Sequence, residues 1–261
     1  MSIGFVKIVA AAAVLYLASP CTSFAQDDLL KTIKDRGKMR VCHAEYAPWN
    51  VKNPITNQWE GIDVDIANLI AKQLKVEIEN VDATFGTIIP SMAAQKCDFT
   101  VAPFYISAAR AELVSFTRPF AQDGITIFVS SSAAGTTLED IDKPGKTVAV
   151  RSGSYEEPIA RRIFKQATVK SLTADGTGVQ LLEIAAGRAD IALGAYFGNL
   201  NFLKANPNMK VRLLSDVMLT KTSIAYAVPA KEYFLRDYLS SVILTLEETG
   251  QIKDIIDKWF K

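Results

Sequence analysis

The sequence predicts an α/β fold arranged as two similar lobes, and three observations carry that expectation. Short β-rich runs alternate with amphipathic helical patterns along the chain, the pattern of parallel sheets covered by helices. The alternation completes a βαβαβ unit twice. Two extended apolar runs, Gly124 to Val129 and Ser223 to Val228, lie outside those units and supply two crossings between them.

The first unit opens with a strand over Met39-Arg40-Val41-Cys42. A helix follows over 63–74, because Ile62, Ile66, Leu69, Ile70 and Leu74 fall on one face at helical spacing. Val76 to Val81 alternates as a strand, Phe85 to Gln95 reads as a helix, and Asp98 to Ala102 is the third strand. The second unit runs through strand Thr147–Val150, helix Tyr155–Phe164, strand Thr168–Leu172, helix Val179–Ala186 and strand Asp190–Leu193. Their third strands echo one another: Lys96-Cys97-Asp98-Phe99 and Arg188-Ala189-Asp190-Ile191 share a basic residue, an Asp and an apolar start. A long helix from Lys231 to Thr249, stopped by Gly250, and a last one from Ile252 to Phe260 close the chain.

The N-terminus reads as a leader. Lys7 precedes an apolar run from Ile8 to Ala18, and Ser23-Phe24-Ala25 offers a small-residue cleavage pattern, so residues 1–25 are expected to be a secretory signal peptide. The run is too short for a membrane span, which needs about twenty residues. The remaining chain then divides into lobe 1 at 26–121, lobe 2 at 122–221 and a second part of lobe 1 at 222–261.

Of 29 basic residues the leader holds one and of 28 acidic residues none, so the rest of the chain balances at 28 against 28. A neutral chain without a basic cluster argues against nucleic acid as a partner. Cys42 and Cys97 remain after the leader. An exported compartment permits pairing, but Cys42 sits near the end of its strand and Cys97 just before the start of a parallel one. At about 3.3 Å per residue that offset exceeds the roughly 7 Å a bridge spans, so two buried free thiols are expected.

Several local motifs then resemble the family-three bacterial solute-binding proteins, the periplasmic amino-acid receptors of ABC importers. They are Tyr46-Ala47-Pro48-Trp49, Gly61 to Ile66, Ile89-Pro90-Ser91-Met92 with Cys97-Asp98-Phe99, and Ser107-Ala108-Ala109-Arg110 with Val114 to Phe120. Val148 to Ser154 and the terminal Glu248 to Phe260 complete the match, which covers essentially the whole chain after the leader. The resemblance implies the two-lobed periplasmic binding protein fold of type II, a periplasmic monomer, a small-molecule ligand and an inner-membrane ABC permease as partner. No cofactor is implied.

Ligands of open α/β sheets bind beyond the carboxyl ends of strands, which directs attention to the loops after Val41, Ala102, Val150 and Leu193. The resemblance gives Arg110 the grip on the ligand's carboxylate, with the Ser107 hydroxyl beside it; a planar guanidinium is able to make two parallel bonds to one carboxylate. Arg151, with Ser154 and Tyr155 at a helix start, supplies a second positive charge. Tyr46, Tyr105 and Trp49 bring aromatic surface, although core packing is an equal reading of Trp49. The family's usual acid and threonine for an ammonium group are replaced by Ala195, next to Tyr196, and by Tyr105. Either His43 and Glu45 stand as substitutes or the ligand lacks a primary α-amine, and His43 reads equally as a hydrogen-bonded structural residue.

The same pair, His43 with Glu45, is the only acid–base couple that an enzyme reading offers, and relatives such as cyclohexadienyl dehydratase use this cleft for chemistry. No nucleophile triad, phosphate loop or metal-ligand spacing accompanies it. A binding protein, not an enzyme, is the expectation.

Overall fold

The computed structural model describes residues 28–215 and 218–260; the expected leader lies outside the described residues. Helix α1 (Leu29–Arg36) leads into strand β1 (Lys38–His43). A small hairpin of β2 (Val51–Lys52) and β3 (Trp59–Glu60) precedes helix α2 (Ile62–Leu74). Strand β4 (Glu77–Asp82), helix α3 (Ile88–Ala93) and strand β5 (Phe99–Val101) complete the first unit. Strand β6 (Phe104–Tyr105), helix α4 (Ala108–Ala111), strand β7 (Val114–Phe116) and the long strand β8 (Ala121–Ser130) lead to the second. That unit holds α5 (Leu138–Ile141), β9 (Thr147–Arg151), α6 (Glu156–Ile163), β10 (Thr168–Leu172), α7 (Val179–Ala185), β11 (Ile191–Ala195), α8 (Tyr196–Ala205) and β12 (Val211–Leu213). The chain returns through β13 (Thr220–Ala225) and β14 (Ala227–Pro229) to helices α9 (Tyr233–Glu248) and α10 (Gln251–Trp259).

Local chemistry explains the boundaries. The Asp28 side chain accepts from Leu30 N and caps α1, and Gly37 ends it in the left-handed region. Helix α2 buries Ile62, Ile66, Ile70 and Leu74 at four-residue spacing and carries Asp63 and Asp65 in its first turn, where acids complement the helix dipole. The extended run expected from Ser223 to Val228 is divided at Tyr226. Its N–H goes to Thr117 Oγ1 instead of a ladder partner, and its hydroxyl donates to Asp63 Oδ1 at 3.1 Å.

Both units form the expected parallel sheets. In lobe 1 the order is β4-β1-β5, with Val41 opposite Phe99; in lobe 2 β10, β9 and β11 run parallel, with Val148 opposite Ile191. Strand β8 joins the second sheet antiparallel to β11, and its first half pairs with β13, which in turn pairs with β6 of lobe 1. Paired strands therefore form the hinge. The two crossings pair with each other as a single antiparallel ribbon between the lobes.

One expectation is overturned. Cys42 and Cys97 form a disulfide, with Cα atoms 5.6 Å apart. The chain through Cys97 is not a straight extension of β5: the backbone bends at Asp98, whose N–H bonds Arg40 O at 2.7 Å, and that bend brings Cys97 to the first strand.

Candidate ligand-binding cleft

The carboxyl ends of both sheets face each other, and the lobes are closed. A cavity of about 10 Å³ survives between them, lined by Tyr46, Phe85, Pro103, Tyr105, Arg110, Arg151, Ser154, Tyr155 and Glu156. That is room for about one water molecule. Closure depends on glycine: a Cβ on Gly153 of lobe 2, which has φ +70, would sit 2.4 Å from Gly86 Cα of lobe 1.

Arg110 straddles the cleft. From helix α4, capped by the Ser107 hydroxyl accepting from Arg110 N at 3.2 Å, its side chain donates to Tyr105 O at 2.9 Å and to Gly153 O at 3.1 Å. Its guanidinium lies 3.9 Å from the centre of the Phe104 ring. Burial pulls it down to about 10, against the pull of Glu156 in the opposite direction, so it stays charged at neutral pH.

Arg151, the last residue of β9, is 4% exposed. It donates to Glu156 Oε1 at 3.2 Å and stands 4.0 Å from Asp175 Oδ1. Its guanidinium lies over two rings of lobe 1, Tyr46 at 4.8 Å and Phe85 at 4.7 Å. Burial alone disfavours its charge, yet Glu156, Tyr46 and Asp175 outweigh that and raise its affinity for the proton. Its Nε and Nη1, with Ser154 Oγ, are buried and meet no hydrogen-bond partner among the described residues. Buried donors without acceptors are costly.

Around the rim, lobe 2 reaches lobe 1 through the loop after β10. Thr177 Oγ1 accepts from Ala47 N at 2.5 Å, and the Asp175 carboxylate accepts from Glu45 N. The Glu45 carboxyl is raised by burial and then by the nearby Asp175 charge. Behind the cavity, Tyr105 OH donates to Asp123 Oδ2 at 2.9 Å on the hinge strand, whose other oxygen accepts from Gly124 and Phe197 N–H groups. Asp123 and Tyr105 are thereby tied to each other.

Six of the residues singled out from sequence line one cavity: Tyr46, Tyr105, Arg110, Arg151, Ser154 and Tyr155. Ser107 stands behind them as a helix cap. The others lie elsewhere. His43 is fully buried with Nδ1 and Nε2 each 2.8 Å from the side-chain amides of Asn50 and Asn80, its ring stacked on Trp59 at 4.7 Å; burial lowers its proton affinity. This is the hydrogen-bonded structural reading. Trp49 packs against Phe120 and Phe260 in the core. Ala195 is buried and offers its carbonyl to Asn199, and Tyr196 lies edge-on to Phe197. Phe85 and Glu156 line the cavity, and Asp175 and Thr177 guard its rim, without having been singled out. Phe85 follows β4 and Asp175 and Thr177 follow β10, strand ends that carry the same ligand-facing position as the four singled out from sequence, while Glu156 opens the helix after β9.

A family model described as bacterial extracellular solute-binding proteins, family 3, matches residues 39–261. The chain is a family 3 solute-binding protein. Among curated relatives of this solute-binding protein is the ABC transporter arginine-binding protein 1 of Escherichia coli, 24% identical over 206 residues, covering 78% of this chain and 83% of the relative. Another is the cyclohexadienyl dehydratase of Pseudomonas aeruginosa, 25% identical over 260 residues, 98% of this chain and 95% of the enzyme. Among solved structures, holo ArgBP from T. maritima is 30% identical with a TM-score of 0.74, covering 88% of this chain and 99% of its own. The ancestral amino-acid-binding protein AncCDT-1, a precursor of cyclohexadienyl dehydratase, is 27% identical with a TM-score of 0.80, covering 90% and 100%. Among the described residues no helix is long and apolar enough to cross a membrane, and no cluster of His, Cys, Asp or Glu is arranged for a metal.

Proposed function

We propose that the chain is the periplasmic receptor of an ABC importer, capturing an amino acid or related small carboxylate between its lobes and presenting the closed form to an inner-membrane permease. The relatives named for arginine, and the family itself, support an amino-acid-like ligand. The observation that carries the reading is Arg110, a charged guanidinium at the cavity wall that bonds backbone carbonyls of both lobes. A ligand carboxylate placed there exchanges neutral acceptors for a charged one, and contacts from both lobes favour the closed population. The division into lobe 1 at 26–121 and 222–261 and lobe 2 at 122–221 belongs to this proposal.

A thermal-shift screen over amino acids, betaines, opines and dicarboxylates identifies the ligand, since saturation at a hundred times Kd adds about 2.7 kcal/mol of stability. Arg110→Ala is then expected to abolish binding in calorimetry and to leave the circular dichroism unchanged. Undiminished affinity overturns the carboxylate assignment.

The dehydratase relative, which matches along 98% of the chain, favours catalysis as a second reading. The couple that would serve it is not assembled: the His43 ring is enclosed by Asn50, Asn80 and Trp59, away from the cavity wall. Incubation with prephenate or arogenate, monitored for an aromatic product, decides between the readings.

A further inference from the structure

Two aromatic faces and two carboxylates converging on one point are the partners by which a cleft recognises a ligand's guanidinium or ammonium group. Here Tyr46 and Phe85 supply the faces and Glu156 and Asp175 the carboxylates. The cation among them belongs to the protein: it is the Arg151 side chain, carried there on the end of β9. The faces come from lobe 1 and the acids and the arginine from lobe 2, so the arrangement is complete only when the cleft shuts.

We infer that Arg151 is a tethered cation that occupies the cation subsite of its own cleft and sets its specificity. A ligand whose side chain is a guanidinium or ammonium finds that subsite filled. A ligand that brings a carboxylate to Arg110 and an uncharged, acceptor-bearing end to the cavity is admitted instead, because Arg151 Nε and Ser154 Oγ have no hydrogen-bond partner among the described residues and Arg151 Nη1 meets Asp175 only at ion-pair distance, 4.0 Å. This names the ligand class and rests on the receptor reading above.

The test uses truncation. Arg151→Ala removes the tethered cation and leaves both rings and both acids facing an empty subsite, so the variant should bind L-arginine about thirty-fold or more tightly than the unmodified protein in calorimetry. L-citrulline, an uncharged isostere, should gain no more than about three-fold. Methylguanidinium, which has no carboxylate, should raise the Tm of Arg151→Ala and leave that of the unmodified protein unchanged. Adding Arg110→Ala to Arg151→Ala should remove L-arginine binding and spare the methylguanidinium effect. Survival of L-arginine binding in that double variant overturns the receptor reading's carboxylate grip while the tethered cation stands. Equal gains for L-arginine and L-citrulline make Arg151 a steric plug and overturn the inference, as does a methylguanidinium response shared by both proteins. If Arg151→Ala lacks the native circular dichroism, Arg151→Gln takes its place; tight L-arginine binding by the unmodified protein overturns the inference without any variant.

Discussion

The two lobes are built on one plan, and superposing their sheet registers shows where they part. Val41 opposite Phe99 in lobe 1 corresponds to Val148 opposite Ile191 in lobe 2. At each place an aspartate just before the third strand binds the first: Asp98 accepts from Arg40 N at 2.7 Å, and Asp190 from Thr147 N at 2.9 Å. Each aspartate's own N–H returns to the same residue's carbonyl. In this register Cys42 corresponds to Ala149 and Cys97 to Ala189. The disulfide of lobe 1 thus replaces two buried alanines of lobe 2, both in the small apolar cluster formed with Phe128, Leu181 and Ala192. One step further, His43 corresponds to Val150 and Ala44 to Arg151. Lobe 1 turns its polar residue inward, onto Asn50 and Asn80, and lobe 2 turns its polar residue toward the cleft. The same scaffold is stapled on one side and functionalised on the other.

The largest effect should come from the staple. Replacing Cys42 and Cys97 by Ala, which gives lobe 1 the lobe 2 pair, is expected to cost about 2–4 kcal/mol, since the bridge closes a 55-residue separation in the unfolded chain. Thermal unfolding measures it, and reductant should lower the Tm of the unmodified protein but not of the variant. A variant as stable as the parent would mean that alanine packing suffices in both lobes.

The two aspartates should differ next. Asp98, 1% exposed at its side chain, meets Arg36, Arg40 and a backbone N–H; Asp190, 38% exposed, meets Lys146 and one backbone N–H. Asp98→Asn takes the buried counter-charge away from two partly exposed guanidinium groups and should cost about 2 kcal/mol; Asp190→Asn should cost under about 1 kcal/mol. Denaturant midpoints for the pair check this, and equal losses would show that the backbone contact, common to both, carries the energy.

The smallest effect is in pH. Burial lowers the proton affinity of His43 in the folded protein, whereas the unfolded chain takes up a proton near the ordinary value of about 6.5. Its contribution to stability is therefore present above that pH and declines as pH falls through it. Tm should drop from pH 7 to 5.5 more steeply in the parent than in His43→Gln, while ligand affinity stays flat over that range. An affinity that follows His43 would move the residue into the cleft.

The alternation of strands and helices, the two units and the two crossings were all readable along the chain, because helical and strand periodicities are local and each βαβ unit buries its own apolar faces. The echo at Asp98 and Asp190 was readable too, and its meaning, a carboxylate binding the first strand, is the same in both lobes. Part of the site also followed: Arg151 and Tyr46 stand in strand-end loops that the topology must bring together, and the family resemblance singled out Arg110. What the chain withheld was decided across distances of dozens of residues. Cys42 and Cys97 are joined through a one-residue bend that no spacing rule contains. Arg151 has the same sequence whether it faces an external anion or lies between Tyr46 and Phe85; those rings come from lobe 1, 105 and 66 residues away, and only closure of the lobes sets them around it. The pattern of residues determined the scaffold because burial is read from periodicity, and tertiary structure decided the chemistry of the cleft because the charge and shape at one point are sums over chain segments that meet only when folded.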